Sequence, residues 1–251
     1  MKDYDVSNII SDVRIAIDQN TNDTELSEFG DVDTLELADV VKSKIVDAAW
    51  MIESAAPVYM CADGVIASNP TVTKDQVYET DESYYAVVDI KDDFLRLVTF
   101  KMSDWTRPVS NPITTDDPDY AVQKSRVEGV RGNQERPVLV MIPSDDAPMT
   151  GNNGNVFEAY STSYDSTASY RYVPIPKIKN DKISLCDRLY KAVVYATAYL
   201  TALAYNADTQ AERLLSIARS LAEIDTGTYQ PQIQQQIQPQ QYVEPQVAEQ
   251  Q

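Results

Sequence analysis

The first part of the chain carries apolar residues at helical spacing. Four of them recur every three to four positions and predict a short amphipathic helix. Polar residues and Gly30 interrupt this pattern before it resumes further along the chain. The members of this first stripe are Val6, Ile10, Val13 and Ile17.

A second apolar stripe predicts a longer helix. Asp33 or Thr34 can cap its N-terminus through a side-chain oxygen, and Pro57 ends it because proline lacks a backbone N–H. The stripe is confined to one side, so we expect the helix to pack on one face. Its members are Leu37, Val41, Ile45, Ala48 and Ile52.

The middle of the chain changes to patterns typical of strands. β-Branched and aromatic residues dominate several short runs, and turn-forming residues separate these runs. Pro174 and Pro176 mark an exposed end of the last run. The predicted strands are 84–89, 137–142, 155–160 and 169–175, with 155–160 as the partner of 137–142.

Two segments leave alternatives open. Residues 94–102 follow Asp92 and Asp93, which can cap a helix, yet 95–100 is rich in strand-forming residues. Residues 57–83 are irregular and long enough for a functional loop or a small hairpin.

Helical spacing returns near Ser184. The string from Ser184 to Asp187 is a variant of the capping box, so a helix is predicted to begin at Ser184. This helix is apolar nearly all round, which is typical of a helix buried by several neighbours or by other subunits. A final helix is predicted to start at Asp208.

The composition changes abruptly after Asp225. Residues 226–251 are rich in glutamine and proline and show neither helical nor alternating spacing. Such a segment cannot bury enough apolar surface to fold by itself, so we predict an extended arm that binds a partner. The residues that can anchor it are Tyr229, Ile233, Ile237, Tyr242 and Val243.

Taken in order, these patterns predict an α+β fold. Residues 1–56 and 184–225 are expected to form one helical bundle. Residues 57–183 form a β-rich insert with its own core, and residues 226–251 form the C-terminal arm.

Charge and composition exclude several classes of protein. A formal net charge of -18 repels the phosphate backbone, so specific DNA binding is not expected, although an acidic wall lets DNA slide past. The sequence has no histidine, which excludes Ser-His-Asp and Cys-His catalysis and most zinc sites. Only 7 glycines are present, which disfavours phosphate-binding loops. We therefore expect no enzyme activity, no cofactor and no metal, although carboxylate, lysine or tyrosine chemistry stays formally open.

The two cysteines, Cys61 and Cys186, are too far apart in sequence to indicate a disulfide framework or a metal knuckle. A reducing, cytoplasmic origin is the simpler explanation. Cys186 lies at the start of an apolar helix, which predicts a buried thiol. Residues 1–5 have no apolar core of a signal peptide, and no apolar run is long enough to cross a membrane.

Two polar strings are candidate sites. Asp116, Asp117 and Asp119 lie close enough to hold a hard cation such as calcium, but they lack the EF-hand spacing, and a polar turn before a short helix is favoured.

The second string contains Asp104, Trp105 and Arg107. These residues can form a ligand site. The favoured interpretation is a structural staple of a turn, in which Arg107 stacks on Trp105 and pairs with Asp104.

The order of helices, strands, helices and tail resembles the head-to-tail connector proteins, or neck ring proteins, of tailed bacteriophages. It is most similar to ring proteins of phages infecting Bacteroidales, including the crAss-like group. The resemblance covers about residues 5–224 and depends on order more than on identity. The strings that carry it are Asp33-Thr34-Leu35, Phe94-Leu95-Arg96-Leu97-Val98, Met102-Ser103-Asp104-Trp105 and Tyr190-Lys191-Ala192-Val193-Val194-Tyr195.

The resemblance implies a structural virion protein made in the bacterial cytoplasm and assembled into the phage neck. It implies a dodecameric ring docked under the portal protein and next to other neck or tail rings, around the channel through which DNA passes. A C-terminal arm commonly grips the portal or a neighbouring ring in this family, and 226–251 match it by position. The alternatives are a non-virion assembly chaperone or binding module, and a carboxylate-dependent hydrolase with two opposed carboxylates in a cleft.

Overall fold

The computed structural model describes residues 1–20, 37–67, 70–76, 84–125, 127, 130–142 and 155–224. Within these ranges the protein has a mixed α+β fold with five α-helices and three β-sheets. The predicted helix caps at Asp33 and Thr34 and the whole arm 226–251 lie outside the described residues.

The helices lie mainly on either side of the strands in sequence. Their bounds confirm the predicted first helix, most of the second and the predicted start of the last at Asp208. They are α1 (Val6–Asn20), α2 (Leu37–Ala55), α3 (Pro118–Gln123), α4 (Tyr190–Ala204) and α5 (Asp208–Leu221).

The strands form three sheets, each named here by its number. Sheet 1 has the order β1 (Lys2–Asp5), β11 (Lys182–Leu185), β10 (Ile178–Lys179). Sheet 2 has the order β2 (Val65–Ile66), β9 (Ala168–Pro174), β5 (Phe94–Met102). Sheet 3 has the order β3 (Val72–Gln76), β4 (Tyr84–Asp89), β8 (Val156–Thr162), β7 (Leu139–Ile142), β6 (Ile113–Thr114). All described strand pairs are antiparallel except β6 with β7.

The strand predictions are confirmed in the middle of the chain. The structure has β4 at the predicted 84–89. β7 and β8 are antiparallel partners, as predicted for the runs at 137–142 and 155–160. The ambiguous segment 94–102 is strand β5, since its backbone pairs along β9. The irregular segment 57–83 contains a 3₁₀ turn at Val58–Cys61 and the strands β2 and β3.

The predicted helix start at Ser184 is wrong. Ser184 lies in β11, where it pairs with Asp3 of β1, and its hydroxyl donates to the Asp3 carboxylate instead of capping a helix. A 3₁₀ turn at Asp187–Leu189 follows, and α4 begins only at Tyr190. The local string favours a cap, but the backbone groups of β11 are already bonded to a strand from the other end of the chain.

Sheet 2 lies between the helices and sheet 3. Val98 of β5 and Val173 of β9 pack into the cluster formed by α1, α2, α4 and α5. Leu97 and Phe100 face the opposite cluster, which sheet 3 completes with Phe157. Leu97 and Phe100 share a face because the register shifts between Leu97 and Thr99, where a bulge adds one residue to the strand.

An aromatic cluster fills the space between sheets 2 and 3. The rings of Phe100 and Phe157 lie 5.5 Å apart, and those of Phe157 and Tyr170 lie 5.7 Å apart, both edge to face. Each such pair stabilises the fold by about 0.5–1.5 kcal/mol beyond burial alone. Trp105, which is 2% exposed, closes one end of this cluster against Phe100.

No helix in the described ranges has both the length and the apolar character that crossing a membrane requires.

Gly64 marks a close approach between two parts of the backbone. A Cβ atom at this position would lie 2.7 Å from the carbonyl oxygen of Tyr172 and 3.1 Å from Cγ2 of Val98. The first contact is with the backbone of β9, which is held on both sides by β2 and β5 and cannot shift easily. Only glycine fits here, immediately before β2.

The substitution Gly64→Ala is therefore expected to lower the free energy of unfolding by roughly 1–3 kcal/mol, the usual cost of overpacking a closed site. Denaturant unfolding followed by circular dichroism measures this change. Asn111→Ala is the control, because Asn111 is exposed and should leave stability almost unchanged. An equally small change for Gly64→Ala would contradict the close approach.

Candidate functional site: a buried thiol–carboxylate cluster

Three buried titratable side chains come together at the junction between the helices and sheet 2. Glu53 lies in the last turn of α2, Cys61 ends the 3₁₀ turn that follows it, and Cys186 connects β11 to α4. All three are 0% exposed. We call these three residues the thiol–carboxylate cluster. Arg96 of β5 lies beside it.

Glu53 is an unusual buried acid. Its Oε1 accepts a hydrogen bond of 2.8 Å from the backbone N–H of Cys186, whereas its buried Oε2 has no hydrogen-bond partner. Burial raises the pKa of Glu53 to about 7, and the bond from Cys186 opposes only part of that rise. A buried charge without full compensation is costly, so the protonated acid is favoured below about pH 7.

The two thiols lie in the same core cluster, and each changes the pKa of the other. The Cys186 S–H donates to the Cys61 sulfur, which lowers the pKa of Cys61, and the nearby Arg96 guanidinium lowers it further. The same hydrogen bond, together with burial and the Glu53 carboxylate, raises the pKa of Cys186. The Cys186 proton therefore lies between two acceptors, the Cys61 sulfur and the Glu53 carboxylate.

Arg96 fixes the end of α2. Its Nη1 donates to the carbonyl oxygens of Glu53 and Ser54, both at 3.1 Å, and to that of Ala56. Carbonyls at a helix C-terminus have no intrahelical partner and carry partial negative charge, so a cation there satisfies both needs. This contact attaches α2 to sheet 2 and holds Glu53 in position.

A polar layer covers the cluster on one side. Asp63 accepts a hydrogen bond of 3.0 Å from the Asp187 N–H and pairs with the Met1 amine at 3.4 Å. Burial would raise the pKa of Asp63, but these contacts outweigh it and hold the pKa below its usual value. The side chains of Asp63 and Asp187 are 35% and 59% exposed, so a single layer of partly exposed side chains separates the cluster from solvent on this side.

The geometry limits what the cluster can do. None of its three side chains reaches solvent, so a substrate has no direct access to them. The other buried carboxylate in the described ranges is Glu158, which accepts a 2.7 Å hydrogen bond from Tyr160 in a separate hydrophobic cluster. The described ranges also hold no group of three or more His, Cys, Asp or Glu residues that fits a metal ion.

The residues of the predicted staple lie in one turn, but their contacts differ from the predicted ones. Oδ2 of Asp104 accepts from the Ser163 N–H at 2.7 Å and from Nε2 of Gln134 at 3.2 Å. Trp105 is buried against Phe100, as described above. Arg107 is exposed, and neither stacking on Trp105 nor pairing with Asp104 is among its described contacts.

The acidic string at 116–119 is a helix cap. Oδ1 of Asp117 accepts from the Asp119 N–H at 2.9 Å, and Pro118 occupies the first turn of α3. This confirms the predicted turn before a short helix. The predicted anchors of the arm, Tyr229, Ile233, Ile237, Tyr242 and Val243, lie outside the described residues.

Sequence reasoning missed Glu53 and the meeting of the two thiols. A signal for Glu53 is present, because it lies four residues after Ala49 and three before Ala56, on the buried side of α2. A charged residue in that position needs a buried partner. The contact between Cys61 and Cys186 has no sequence signal, since it arises only when the strands of sheet 1 pair.

Several large apolar side chains lie on the surface. Trp50 of α2 is 53% exposed, and Ile15 of α1 is 52% exposed. Ile15 borders an open groove of about 280 Å³ between α1 and α4, which Tyr190 and Tyr195 also line. These side chains are available for contact with another molecule.

The chain matches no known family model, and no curated protein sequence matches it significantly.

The raised pKa of Glu53 predicts a pH dependence of stability. Between the ordinary value of 4.5 and about 7, the folded protein binds a proton that the unfolded chain releases, so stability falls as the pH rises through this window. The shift corresponds to roughly 3 kcal/mol at most. Glu53→Gln keeps the shape and the bond to Cys186 but cannot ionise, so its decline over this window should be smaller by that amount.

Urea unfolding at a series of pH values measures the difference. Glu212→Gln is the matched control, because Glu212 is exposed on α5 and its curve should run parallel to that of the wild type. Parallel curves for Glu53→Gln and the wild type would show that Glu53 does not titrate in this range.

Loss of the cation at the end of α2 should also destabilise the fold. Arg96→Met keeps the chain length but leaves the carbonyls of Glu53, Ser54 and Ala56 without their donor. We expect the free energy of unfolding to fall by roughly 1.5–3 kcal/mol, as for other hydrogen bonds to charged groups. Arg213→Met, on the exposed side of α5, is the control and should cost much less. If chemical denaturation showed the same loss of stability for Arg96→Met and Arg213→Met, the result would argue against Arg96 as the cap of α2.

Proposed function

We propose that the chain is a non-enzymatic structural subunit of a ring in the neck of a tailed bacteriophage. The ring docks beneath the portal, contacts other neck or tail rings and surrounds the channel through which DNA passes. In this proposal the helices from both ends of the chain form a bundle around the β-rich insert, and the arm 226–251 grips a neighbour through its apolar residues.

The contrast between a closed chemical cluster and an open apolar surface supports the proposal most directly. The thiol–carboxylate cluster is sealed, whereas Trp50 is half exposed on α2. Tryptophan and tyrosine are over-represented among the residues that dominate protein–protein binding, because a large ring loses little entropy when it is fixed. An exposed Trp50 therefore favours a role in assembly.

The charge of the chain supports the same role. A formal net charge of -18 repels a polyanion, so DNA can move past the ring without being held. The lack of histidine removes the usual general base near neutral pH. A structural role that explains the negative charge and the lack of histidine requires neither a cofactor nor a membrane.

Mass spectrometry of gradient-purified particles of the phage that encodes this chain tests the proposal. We expect the chain in the particles at the same copy number as the portal protein, and in the portal–tail fraction after the capsid is disrupted. Absence from particles while the chain is abundant in infected cells would overturn the proposal and favour an assembly chaperone.

The role of Trp50 has a separate test. Portal particles are mixed with the purified full chain, and binding is measured by light scattering. Trp50→Ala should weaken assembly by about 30-fold, the effect of losing a strong interface residue of about 2 kcal/mol. Trp50→Tyr keeps a large ring and should retain most of the binding. If the wild-type chain did not associate with portal particles, the result would contradict the proposed ring beneath the portal.

A further inference from the structure

The two cysteines of the chain meet in one buried place, although nearly half of the sequence separates them. Cys61 follows α2, and Cys186 precedes the turn that leads into α4. Both thiols belong to the same buried core cluster. The N–H of Asp187, the residue after Cys186, donates to the carboxylate of Asp63, two residues after Cys61, at 3.0 Å, so the two cysteine-bearing segments are held side by side. Their contact links the helices of the first part of the chain to those of the last part.

The surroundings differ at the two thiols. The Arg96 guanidinium and the donated Cys186 proton stabilise a thiolate at Cys61. Cys186 faces the Glu53 carboxylate, whose buried Oε2 has no hydrogen-bond partner. Asp63, on the side of the polar layer, adds to the rise in the pKa of Cys186, and the Met1 amine acts on Glu53.

We propose that Cys61 and Cys186 are a reversible redox pair, which a small peroxide converts into an intramolecular disulfide with Glu53 as the proton acceptor. Cys61 is the thiol that is oxidised first, and Cys186 is the thiol that closes the bond. This inference does not depend on the assembly role proposed above.

The reaction balances with hydrogen peroxide as the oxidant. The Cys61 thiolate attacks one peroxide oxygen and the O–O bond breaks, which gives a sulfenic acid and a hydroxide that takes up a proton. The Cys186 sulfur then attacks the Cys61 sulfur as its proton passes to Glu53. Glu53 returns this proton to the sulfenic oxygen, which leaves as water when the S–O bond breaks. Two thiols and one peroxide give one disulfide and two waters, so the sulfurs lose two electrons and the peroxide gains them.

The depth of the cluster sets the conditions of the reaction. Both thiols are 0% exposed, but the side chain of Asp187, the residue after Cys186, is 59% exposed. In this proposal, local opening of the polar layer formed by Asp63, Asp187 and Met1 admits a molecule as small as hydrogen peroxide, whereas bulky thiol reagents stay outside. The disulfide then joins the end of α2 to the start of α4.

The test uses the purified, folded full chain treated with hydrogen peroxide. After quenching, the protein is unfolded, its free thiols are alkylated, and the intact mass and proteolytic peptides are measured. We expect loss of the mass of two hydrogen atoms, a peptide linked between Cys61 and Cys186, and full reversal by a phosphine reductant. The oxidised chain should melt at a temperature higher by roughly 5–15 °C, because the bond closes a long loop.

Variants separate the roles. Cys186→Ser should stop at a sulfenic acid on Cys61, which dimedone labels, whereas Cys61→Ser should leave Cys186 unreactive. Glu53→Gln should slow closure of the disulfide by about tenfold or more above neutral pH, since the proton loses its acceptor. Glu212→Gln on α5 is the matched control and should react like the wild type.

Several results would overturn the proposal. They are disulfides between two copies of the chain, oxidation of Cys61 to sulfinic acid while Cys186 stays free, and thiols that remain reduced even when a low concentration of urea opens the polar layer. A disulfide that forms at the same rate in Glu53→Gln would remove Glu53 from the mechanism.

Discussion

The hydrogen bond from the Cys186 N–H to the buried carboxylate of Glu53 is the contact on which the junction between helices and sheets depends. It joins the last turn of α2 to the segment that begins α4, while Arg96 holds the same turn of α2 on sheet 2. A carboxylate in this position is costly to ionise, so the junction is strongest when Glu53 is protonated. One acid therefore links the packing of the helices to the protonation state of the protein.

Local patterns were sufficient where neighbours in sequence are also neighbours in space. The stripe at Val6 and Ile17 predicted α1 because a helix makes its own backbone bonds. Runs of strand-forming residues predicted β7 and β8, which pair with each other and are close in sequence. The same reasoning placed a helix start at Ser184 and failed, because the partner of Ser184 is Asp3. The short strands β1 and β2 were missed for the same reason, since their partners are distant in sequence.

The candidate site was harder to predict than the fold. The position of Cys186 beside an apolar helix predicted a buried thiol, and the lack of histidine excluded catalysis by that residue. The spacing of Cys61 and Cys186 gave no sign that the two meet. Their contact depends on sheet 1 and on the cap by Arg96, which are long-range features, as well as on the local 3₁₀ turn after α2. The staple residues show the same limit, because Asp104 bonds to Gln134 and Ser163 rather than to its neighbour Arg107.

The pairing of β1 with β11 has a consequence for the time at which the protein can fold during synthesis. Lys2–Asp5 finds its partner only when Lys182–Leu185 has left the ribosome, so the first residues to be made wait for some of the last. Contacts of such high sequence separation slow folding and leave apolar helix faces open in the meantime. The faces of α1 and α2 that later bury Val13 and Ile45 are therefore the surfaces on which a nascent chain would need a cellular chaperone.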